Sequence, residues 1–132
     1  MRTTKVLIVD DEVEFASTLS ERLSLRKYDA KAVYCAEDAF AIARSNPPDV
    51  VLLDLKIPGM EGTEIGKIIK QFNPAIQIIL LTGESENKII SENLGKDISD
   101  YIVKPVEIGE LTKKIDNAMK EKEKLDHSKG QP

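Results

Sequence analysis

The chain has 132 residues, of which 32% are charged and 41% hydrophobic, and its formal net charge is −4 at pH 7. This length favours one domain with one core, and the acidic balance argues against a nucleic-acid-binding surface. The single cysteine, Cys35, excludes an internal disulfide and a cysteine metal cage, and we expect it to be a buried thiol. No apolar stretch has the length of a signal peptide or a membrane span, so the expected compartment is the cytoplasm.

Buried strands alternate with amphipathic helices along most of the chain. Short apolar runs predict strands over residues 5–9, 30–34, 50–53, 76–81 and 101–103. The second run is interrupted by polar residues, which is typical of an edge strand. Apolar residues at helical spacing predict helices over about 15–23, 36–45, 65–72 and 86–94, and a fifth from about 107. This alternation predicts βαβ units and a mostly parallel sheet.

The C-terminal residues have a different character. Residues 120–124 alternate in charge and can extend the last helix through ion pairs at helical spacing. We expect residues 1–120 to form the domain and residues 121–132 to form a charged helical extension with a frayed tail, which can be read as a truncated linker. His127 lies in this tail, and we expect it to be solvated.

Side chains with chemical function follow the ends of several predicted strands. Asp10 and Asp11 follow the first strand, Asp54 the third, Thr82 the fourth and Lys104 the fifth. Open α/β sheets place their sites at the carboxyl ends of the strands, so we expect these groups to share one pocket. A carboxylate in such a buried place is costly unless a cation or a reaction makes use of it.

These residue types together indicate phosphoryl chemistry that depends on a metal. Clustered carboxylates repel each other unless one is protonated or a cation joins them, and oxygen ligands favour Mg²⁺ in a site that handles phosphate. Asp54 can then be both a ligand and a nucleophile that yields an aspartyl phosphate. Lys104 supplies positive charge, Thr82 supplies a hydroxyl donor, and Gly83 leaves room for a phosphoryl group.

The motifs that carry these residues resemble a known family. They are Val9-Asp10-Asp11-Glu12, the stretch 53–62, Leu81-Thr82-Gly83 and the stretch 100–105. In this order, and over about residues 4–119, they resemble the receiver domain of two-component response regulators. The resemblance implies an α/β, flavodoxin-like (βα)5 fold, which is a doubly wound parallel sheet with strand order 2-1-3-4-5.

The resemblance also implies the metal ligands and the phosphoacceptor. Asp54 is expected to accept a phosphoryl group from a histidine kinase. Mg²⁺ is expected to be bound by Asp11 and Asp54, by Asp10 directly or through water, and by the backbone carbonyl of Lys56. A simpler interpretation of Asp10 and Asp11, as a helix N-cap, stays open.

Further residues are implied to bind the phosphoryl group and to respond to it. Thr82, Gly83 and Lys104 are expected to contact the phosphoryl group. Thr82 and Tyr101 are the implied switch, which changes the face made by the fourth helix, the fifth strand and the fifth helix. Tyr101 as a plain core residue is the alternative.

Two features call for separate hypotheses. Lys56 and Glu84 each lie two residues after a site residue, and we hypothesise that they pair across the acyl phosphate and modulate its lifetime; two solvated charges are the alternative, since an exposed pair contributes only ~0–1 kcal/mol. Asp97-Ile98 replaces the family's usual Gly-Ala, and Gly95 can end the fourth helix instead. We therefore predict a shorter or displaced fourth helix.

The preferred function is a phosphoacceptor signalling switch that is not an enzyme acting on a separate substrate. Its expected partners are a histidine kinase or phosphotransfer protein and an effector protein or missing downstream domain, with the chain a monomer or weak dimer that binds neither nucleic acid nor membrane. An alternative is an aspartyl-nucleophile phosphatase or phosphotransferase for a small substrate, which Lys56 disfavours because such enzymes often have a carboxylate there. A degenerate receiver that only binds is a third interpretation, disfavoured by the complete set of acids.

Overall fold

The computed structural model describes residues 3–83, 92 and 94–130, with side chains described as far as residue 124. Its elements are β1 (Lys5–Val9), α1 (Val13–Leu25), β2 (Asp29–Val33), α2 (Ala36–Ser45), β3 (Val50–Asp54), β4 (Lys56–Ile57), β5 (Met60–Glu61), α3 (Gly62–Phe72), β6 (Gln77–Thr82), β7 (Asp100–Val103) and α4 (Ile108–Gly130). The predicted fourth helix, and with it the prediction that it is short or displaced, lies almost wholly outside the described residues.

Five parallel strands form the main sheet, in the order β2-β1-β3-β6-β7. The strands β4 and β5 form a separate antiparallel pair. When this small pair is set aside, the order along the sheet is the predicted 2-1-3-4-5, so the flavodoxin-like prediction is confirmed. The edge position predicted for the second strand is confirmed as well, because β2 is the first strand in the order of the sheet and, among the described residues, pairs with β1 alone.

Two apolar clusters lie on the two faces of the sheet. One contains residues of α2 and α3 together with Leu53 and Leu80. The other contains residues of α1 and α4 together with Leu52 and Ile79. Side chains alternate between the faces of a strand, so β3 and β6 must be apolar at nearly every position to be covered on both sides. Their continuous apolar runs therefore mark them as the central strands.

Local sequence signals explain several of the element boundaries. The helix α3 ends before Asn73-Pro74, and the Asn73 side chain accepts a hydrogen bond from the Ala75 N–H at 3.0 Å. The helix α4 begins after Glu107, whose carboxylate accepts hydrogen bonds from the N–H groups of Gly109 and Glu110 at 3.0 and 2.6 Å. Carboxylates at helix N-termini stabilise the first turn because they satisfy its unpaired N–H groups.

The structure corrects two points of the sequence analysis. No strand was expected between residues 54 and 62, yet Pro58 and Gly59 form the turn of the β4–β5 hairpin, with Gly59 at a φ of 91°. Cys35 is exposed and not buried, because it lies between β2 and α2 as the N-cap residue of the helix, outside both apolar clusters.

The last helix extends past the region assigned to the domain by sequence. Its backbone is helical as far as Gly130, and the Lys122 side chain lies against Asp49 with an Nζ–Oδ1 distance of 3.5 Å. The division of the chain at residue 120 stays a prediction. Within the described parts of the chain, every helix is too short or too polar to cross a membrane.

Candidate functional site

The backbone fixes the strand ends that carry the predicted site residues. Beyond the strands themselves, the Asp10 N–H donates to the Val33 carbonyl at 3.2 Å and the Leu55 N–H to the Leu81 carbonyl at 2.9 Å. The Lys104 N–H donates to the Thr82 carbonyl at 2.7 Å. These bonds continue the parallel ladders past the last strand residues, so the side chains that follow β1, β3, β6 and β7 converge on one edge of the sheet.

Three carboxylates meet at this edge, and we call them the acidic cluster: Asp10, Glu12 and Asp54. One oxygen of each lies within 4.8 Å of the others. Asp10 is fully buried and Asp54 is 8% exposed, whereas Glu12 is exposed. Asp11, which was expected in this position, is exposed and lines the same cavity, but its carboxylate is not one of the three. The structure therefore brings together two of the three predicted acids and adds Glu12.

A cavity of about 450 Å³ opens above the acidic cluster. It is lined by Asp11, Glu12, Asp54, Leu55, Lys56, Thr82, Gly83 and Lys104. Six of these residues were predicted from the sequence as site residues. Thr82 is 1% exposed and is the last residue of β6, where it pairs with Val103 of β7.

Lys104 is the cation of the site. Its Nζ donates to Asp10 Oδ2 at 2.9 Å and to Glu12 Oε1 at 2.7 Å, and it lies 4.0 Å from Asp54 Oδ2. The same ammonium lies 4.5 Å from the centroid of the Phe15 ring. Burial lowers the pKa of Lys104, but the hydrogen bonds to Glu12 and Asp10 and the charges of Asp10 and Asp54 outweigh burial and raise it. Lys104 therefore remains positively charged.

The carboxyl group of Asp54 is harder to ionise than an exposed aspartate. Burial and the nearby charge of Asp10 raise its pKa from 3.8 to about 6. The charge of Lys104 and a hydrogen bond from the Lys56 N–H, at 3.3 Å to Oδ1, oppose this rise without cancelling it. A cation bound beside Asp54 would relieve the cost of ionising this carboxyl group.

Asp10 has a structural partner besides Lys104. Its Oδ1 accepts a hydrogen bond from the Glu12 N–H at 2.9 Å. Glu12 is the N-cap residue of α1, and within the described part of the chain its side chain makes no capping hydrogen bond to the helix. The simple interpretation of the Asp10-Asp11 pair as the N-cap is therefore not the one that the structure shows.

The strand that carries Asp54 is contacted closely by the start of α3. A Cβ added at Gly62 would lie 2.4 Å from the backbone oxygen of Asp54 and 2.9 Å from Leu55 Cα. The Gly62 N–H also donates to the Leu55 carbonyl at 2.8 Å. Only glycine permits this approach, so Gly62 is part of the structure that holds Asp54 in place.

Tyr101, the predicted switch residue, is half-buried on β7. Its ring packs against the apolar cluster that contains Leu53, and the Lys114 Nζ lies 5.7 Å from the ring centroid. This environment is compatible with a core residue and with one that changes its exposure, so the switch stays a prediction. Lys56 is exposed at the cavity mouth, while its predicted partner Glu84 lies outside the described residues.

The donors at the site fit a hard divalent cation. The acidic cluster offers carboxylate oxygens from Asp10 and Asp54, Asp11 lines the same cavity, and Cys35 lies elsewhere in the fold. Such all-oxygen sets suit Mg²⁺, and a divalent charge would relieve the repulsion that raises the pKa of Asp54. The structure thus gives Mg²⁺ a chemically suitable place.

A family model of the response regulator receiver domain matches residues 6–116. The chain belongs to this family. The matched range includes every predicted site residue, and it covers the whole of the five-stranded sheet apart from Lys5.

Similar proteins place this receiver domain among response regulators. The response regulator ArlR of Staphylococcus saprophyticus is 39% identical over 114 residues, which are 85% of this chain and 50% of that protein. The chain thus spans about half the length of this relative. Among solved structures, a receiver domain protein (CheY-like) from Methanospirillum hungatei JF-1 is 27% identical with a TM-score of 0.86, covering 94% of this chain and 99% of that one. The receiver domain of an HD domain-containing protein from Pseudomonas fluorescens Pf-5 is 27% identical with a TM-score of 0.85, covering 93% and 99%.

Two residues of the receiver domain site were given no role by the sequence analysis. Glu12 is part of the motif Val9-Asp10-Asp11-Glu12, and its position directly after the two aspartates is the signal that could have identified it as a site residue. Phe15 was predicted as an apolar position of α1, and its contact with Lys104 depends on how α1 packs beside the loop after β7. The spacing of residues within one helix cannot predict such a contact between distant parts of the chain.

Proposed function

We propose that Asp54 of this receiver domain accepts a phosphoryl group and that the domain is thereby switched between two signalling states. The observation that carries the proposal is the position of Asp54. It lies under an open cavity, its carboxyl pKa is raised to about 6 by burial and by Asp10, and the ammonium of Lys104 lies 4.0 Å away. This arrangement combines a nucleophile, an opening for the donor and a cation for the incoming charge.

In the proposed reaction an oxygen of the Asp54 carboxylate forms a bond to phosphorus. The bond from phosphorus to the donor atom, the histidine nitrogen of a kinase or the acyl oxygen of a small donor, breaks, and that atom keeps the electron pair. The positive charge of the Lys104 ammonium would then attract the phosphoryl oxygens. Thr82 and Gly83 line the cavity on the β6 side, where their hydroxyl and N–H groups would donate to the same oxygens.

We propose that Asp10, Asp11, Asp54 and the backbone carbonyl of Lys56 would hold Mg²⁺. When bound, the ion would supply positive charge against the charge that develops on the phosphoryl oxygens. The residues themselves would keep Asp54 ionised and oriented, through the hydrogen bond from the Lys56 N–H and the charge of Lys104. The domain would in this way assist its own phosphorylation and dephosphorylation, without acting on a separate substrate.

The proposed output starts at Thr82 and Tyr101, on neighbouring strands. A shift of Thr82 toward the phosphoryl group would open space that the Tyr101 ring can enter, and this would change the surface around β7 and α4. Lys114 on α4 joins the two elements, because its Nζ lies near the Tyr101 ring and donates to Asp100 Oδ1 at 3.0 Å. Lys56 and Glu84 are proposed to modulate how long the phosphoryl group remains.

The family membership supports proposals about partners. We propose that the phosphoryl donor is a histidine kinase or a phosphotransfer protein and that the output is an effector protein or a further domain. We also propose a cytoplasmic location and a monomer or weak dimer. The comparisons give no support to the alternative of a phosphatase for small substrates, because the matching model and relatives are receiver domains and response regulators.

Mass spectrometry of the intact protein tests the proposed function. The protein is mixed with Mg²⁺ and acetyl phosphate, and we expect one added phosphoryl group per chain that is lost slowly. The adduct should be absent in Asp54→Asn and present in Asp29→Asn, which removes the same charge from an exposed position on β2. Rapid turnover of many equivalents of acetyl phosphate would instead indicate a phosphatase, and no adduct in the wild type would contradict the proposal.

A further inference from the structure

Two buried or rim carboxylates already occupy the ammonium of Lys104 in this structure. An ammonium group has three donors. Two of them serve Asp10 Oδ2 and Glu12 Oε1, at 2.9 and 2.7 Å, and Nζ lies 4.5 Å from the centroid of the Phe15 ring. The distance of 4.0 Å to Asp54 Oδ2 is too long for a hydrogen bond. A phosphoryl group on Asp54 would therefore compete with these two carboxylates for the Lys104 ammonium.

The two carboxylate partners differ in how easily they can be given up. The Asp10 side chain is 0% exposed, and a buried charge left without its cation is strongly destabilised. The Glu12 side chain is 63% exposed, so water can replace the ammonium at little cost. Lys104 should therefore keep Asp10 and release Glu12.

We propose that Glu12 is a positioning residue that holds Lys104 in the resting state and competes with the phosphoryl group for it. This inference rests on the proposed function and concerns the regulation of the same site. Glu12 lies at the rim of the cavity, where it draws the ammonium to 2.7 Å from its own oxygen while Asp54 Oδ2 remains at 4.0 Å. On phosphorylation, Lys104 would exchange Glu12 for the phosphoryl group as its anionic partner. The stronger the contact with Glu12 is, the less the attraction of Lys104 adds to the binding of the phosphoryl group.

If the two groups compete, neutralising Glu12 should strengthen the binding of the phosphoryl group and should not strengthen the binding of the metal. Beryllium fluoride with Mg²⁺ serves as the stable analogue of the phosphoryl group on Asp54. In Glu12→Gln we expect the dissociation constant for beryllium fluoride, at saturating Mg²⁺, to fall by about two- to fivefold, the range of an exposed ion pair. The dissociation constant for Mg²⁺ alone should stay the same or rise, because a nearby negative charge has been removed.

Glu14→Gln is the matched control, because it removes the same charge from an exposed position two residues along α1. We expect both of its dissociation constants to equal those of the wild type. Unchanged or weaker binding of beryllium fluoride by Glu12→Gln would overturn the inference, as would an equal gain in Glu14→Gln. A wild type that binds no beryllium fluoride would instead overturn the proposed function, and the inference with it.

A crystal structure of the wild type with Mg²⁺ and beryllium fluoride separates competition from simple repulsion between Glu12 and the phosphoryl group. We expect the Lys104 Nζ to contact a fluoride and to lie beyond about 4 Å from Glu12, the limit for an ion pair. A Glu12–Lys104 contact that persists beside the fluoride contact would overturn the proposal.

Discussion

The Asp54 carboxylate makes the folded protein less stable when it is charged. Its pKa is raised from 3.8 to about 6 by burial and by Asp10, so the folded state binds more protons than the unfolded state between these pH values. The contribution of Asp54 to the free energy of unfolding should therefore fall as the pH rises through this window and remain lower above it. The proposed reaction needs Asp54 in its charged form, and this charged form lowers the free energy of unfolding.

Removal of this charge should stabilise the protein when no divalent metal is present. We expect Asp54→Asn to raise the free energy of unfolding near neutral pH by on the order of 1–3 kcal/mol, because a shift of one pKa unit corresponds to about 1.4 kcal/mol. The gain should disappear below pH 3.8, where the wild-type carboxyl is neutral in both states. Urea unfolding at a series of pH values measures both effects.

Asp29→Asn is the control for this prediction, because Asp29 is exposed on the edge strand β2. Its free energy of unfolding should follow that of the wild type at each pH. If Asp54→Asn were no more stable than the wild type near neutral pH, the charge of Asp54 would not lower the free energy of unfolding, and the prediction would be wrong.

At the scale of the elements, the junction between β3 and α3 sets the position of Asp54. The helix begins at Gly62, whose N–H donates to the Leu55 carbonyl and whose Cα approaches the backbone of Asp54. The β4–β5 hairpin returns the chain to this point within a few residues. The backbone of Asp54 is therefore held by the sheet on its sides and by the start of α3.

Gly62→Ala should affect both stability and phosphorylation. Its Cβ would lie 2.4 Å from the Asp54 carbonyl oxygen, which forces the two backbones apart. We expect a loss of about 1–3 kcal/mol in the free energy of unfolding, typical of overpacking. We also expect slower uptake of phosphoryl groups from acetyl phosphate, because the Asp54 backbone is displaced.

Gly83→Ala is the matched comparison for stability. Among the described residues, no heavy atom outside the immediate chain neighbours lies within 4 Å of a Cβ at Gly83. We expect its free energy of unfolding to equal or slightly exceed that of the wild type, since alanine restricts the unfolded chain. Equal stabilities of the two variants would show that the close approach at Gly62 is relaxed at little cost.

At the scale of the whole molecule, Asp49 connects segments near both ends of the described chain. It is 5% exposed and precedes β3. Its Oδ2 accepts a hydrogen bond from the Lys5 N–H at 2.8 Å, and its Oδ1 lies 3.5 Å from the Lys122 Nζ. The first strand and the extension of the last helix are thus tied to one buried carboxylate at the edge of the sheet opposite to Asp54.

Lys122→Ala should loosen the end of α4. The substitution removes the ammonium that lies 3.5 Å from the buried Asp49 carboxylate, so we expect a loss of about 1–3 kcal/mol in the free energy of unfolding. Amide hydrogen exchange in the last turns of α4 should become faster. Lys124→Ala is the control, because its ion pair with Glu121 is 75% and 65% exposed and should contribute less than about 1 kcal/mol. Equal effects of both variants would contradict the anchoring role of Lys122.

Much of this molecule was predictable from local pattern. The apolar runs of β3 and β6 and the polar interruption of β2 predicted a mostly parallel sheet with β2 at its edge, and they predicted the edge at which Asp10, Asp54, Thr82 and Lys104 meet. The full strand order came from the resemblance to receiver domains. These predictions were successful because burial on two faces requires continuous apolar residues in a strand, and because parallel strands all end on the same side.

The hairpin was missed because two residues per strand are too few to show alternation. The Pro58-Gly59 signal for a turn was present, but a strand of two residues has no periodicity to detect. Cys35 was misassigned because a cysteine is often buried in globular proteins, and a boundary position between a strand and a helix is not visible in residue type.

Sequence alone thus determined the family, the fold and the set of polar groups at one edge of the sheet. Tertiary structure decided which of these groups touch: Glu12 and not Asp11 joins the acidic cluster, Phe15 lies beside Lys104, and Lys122 reaches Asp49. The physical reason is that periodicity records only whether a side chain faces the core. The partner of a polar side chain depends on the direction of that side chain and on how elements distant in the chain pack together, and neither is encoded in local spacing.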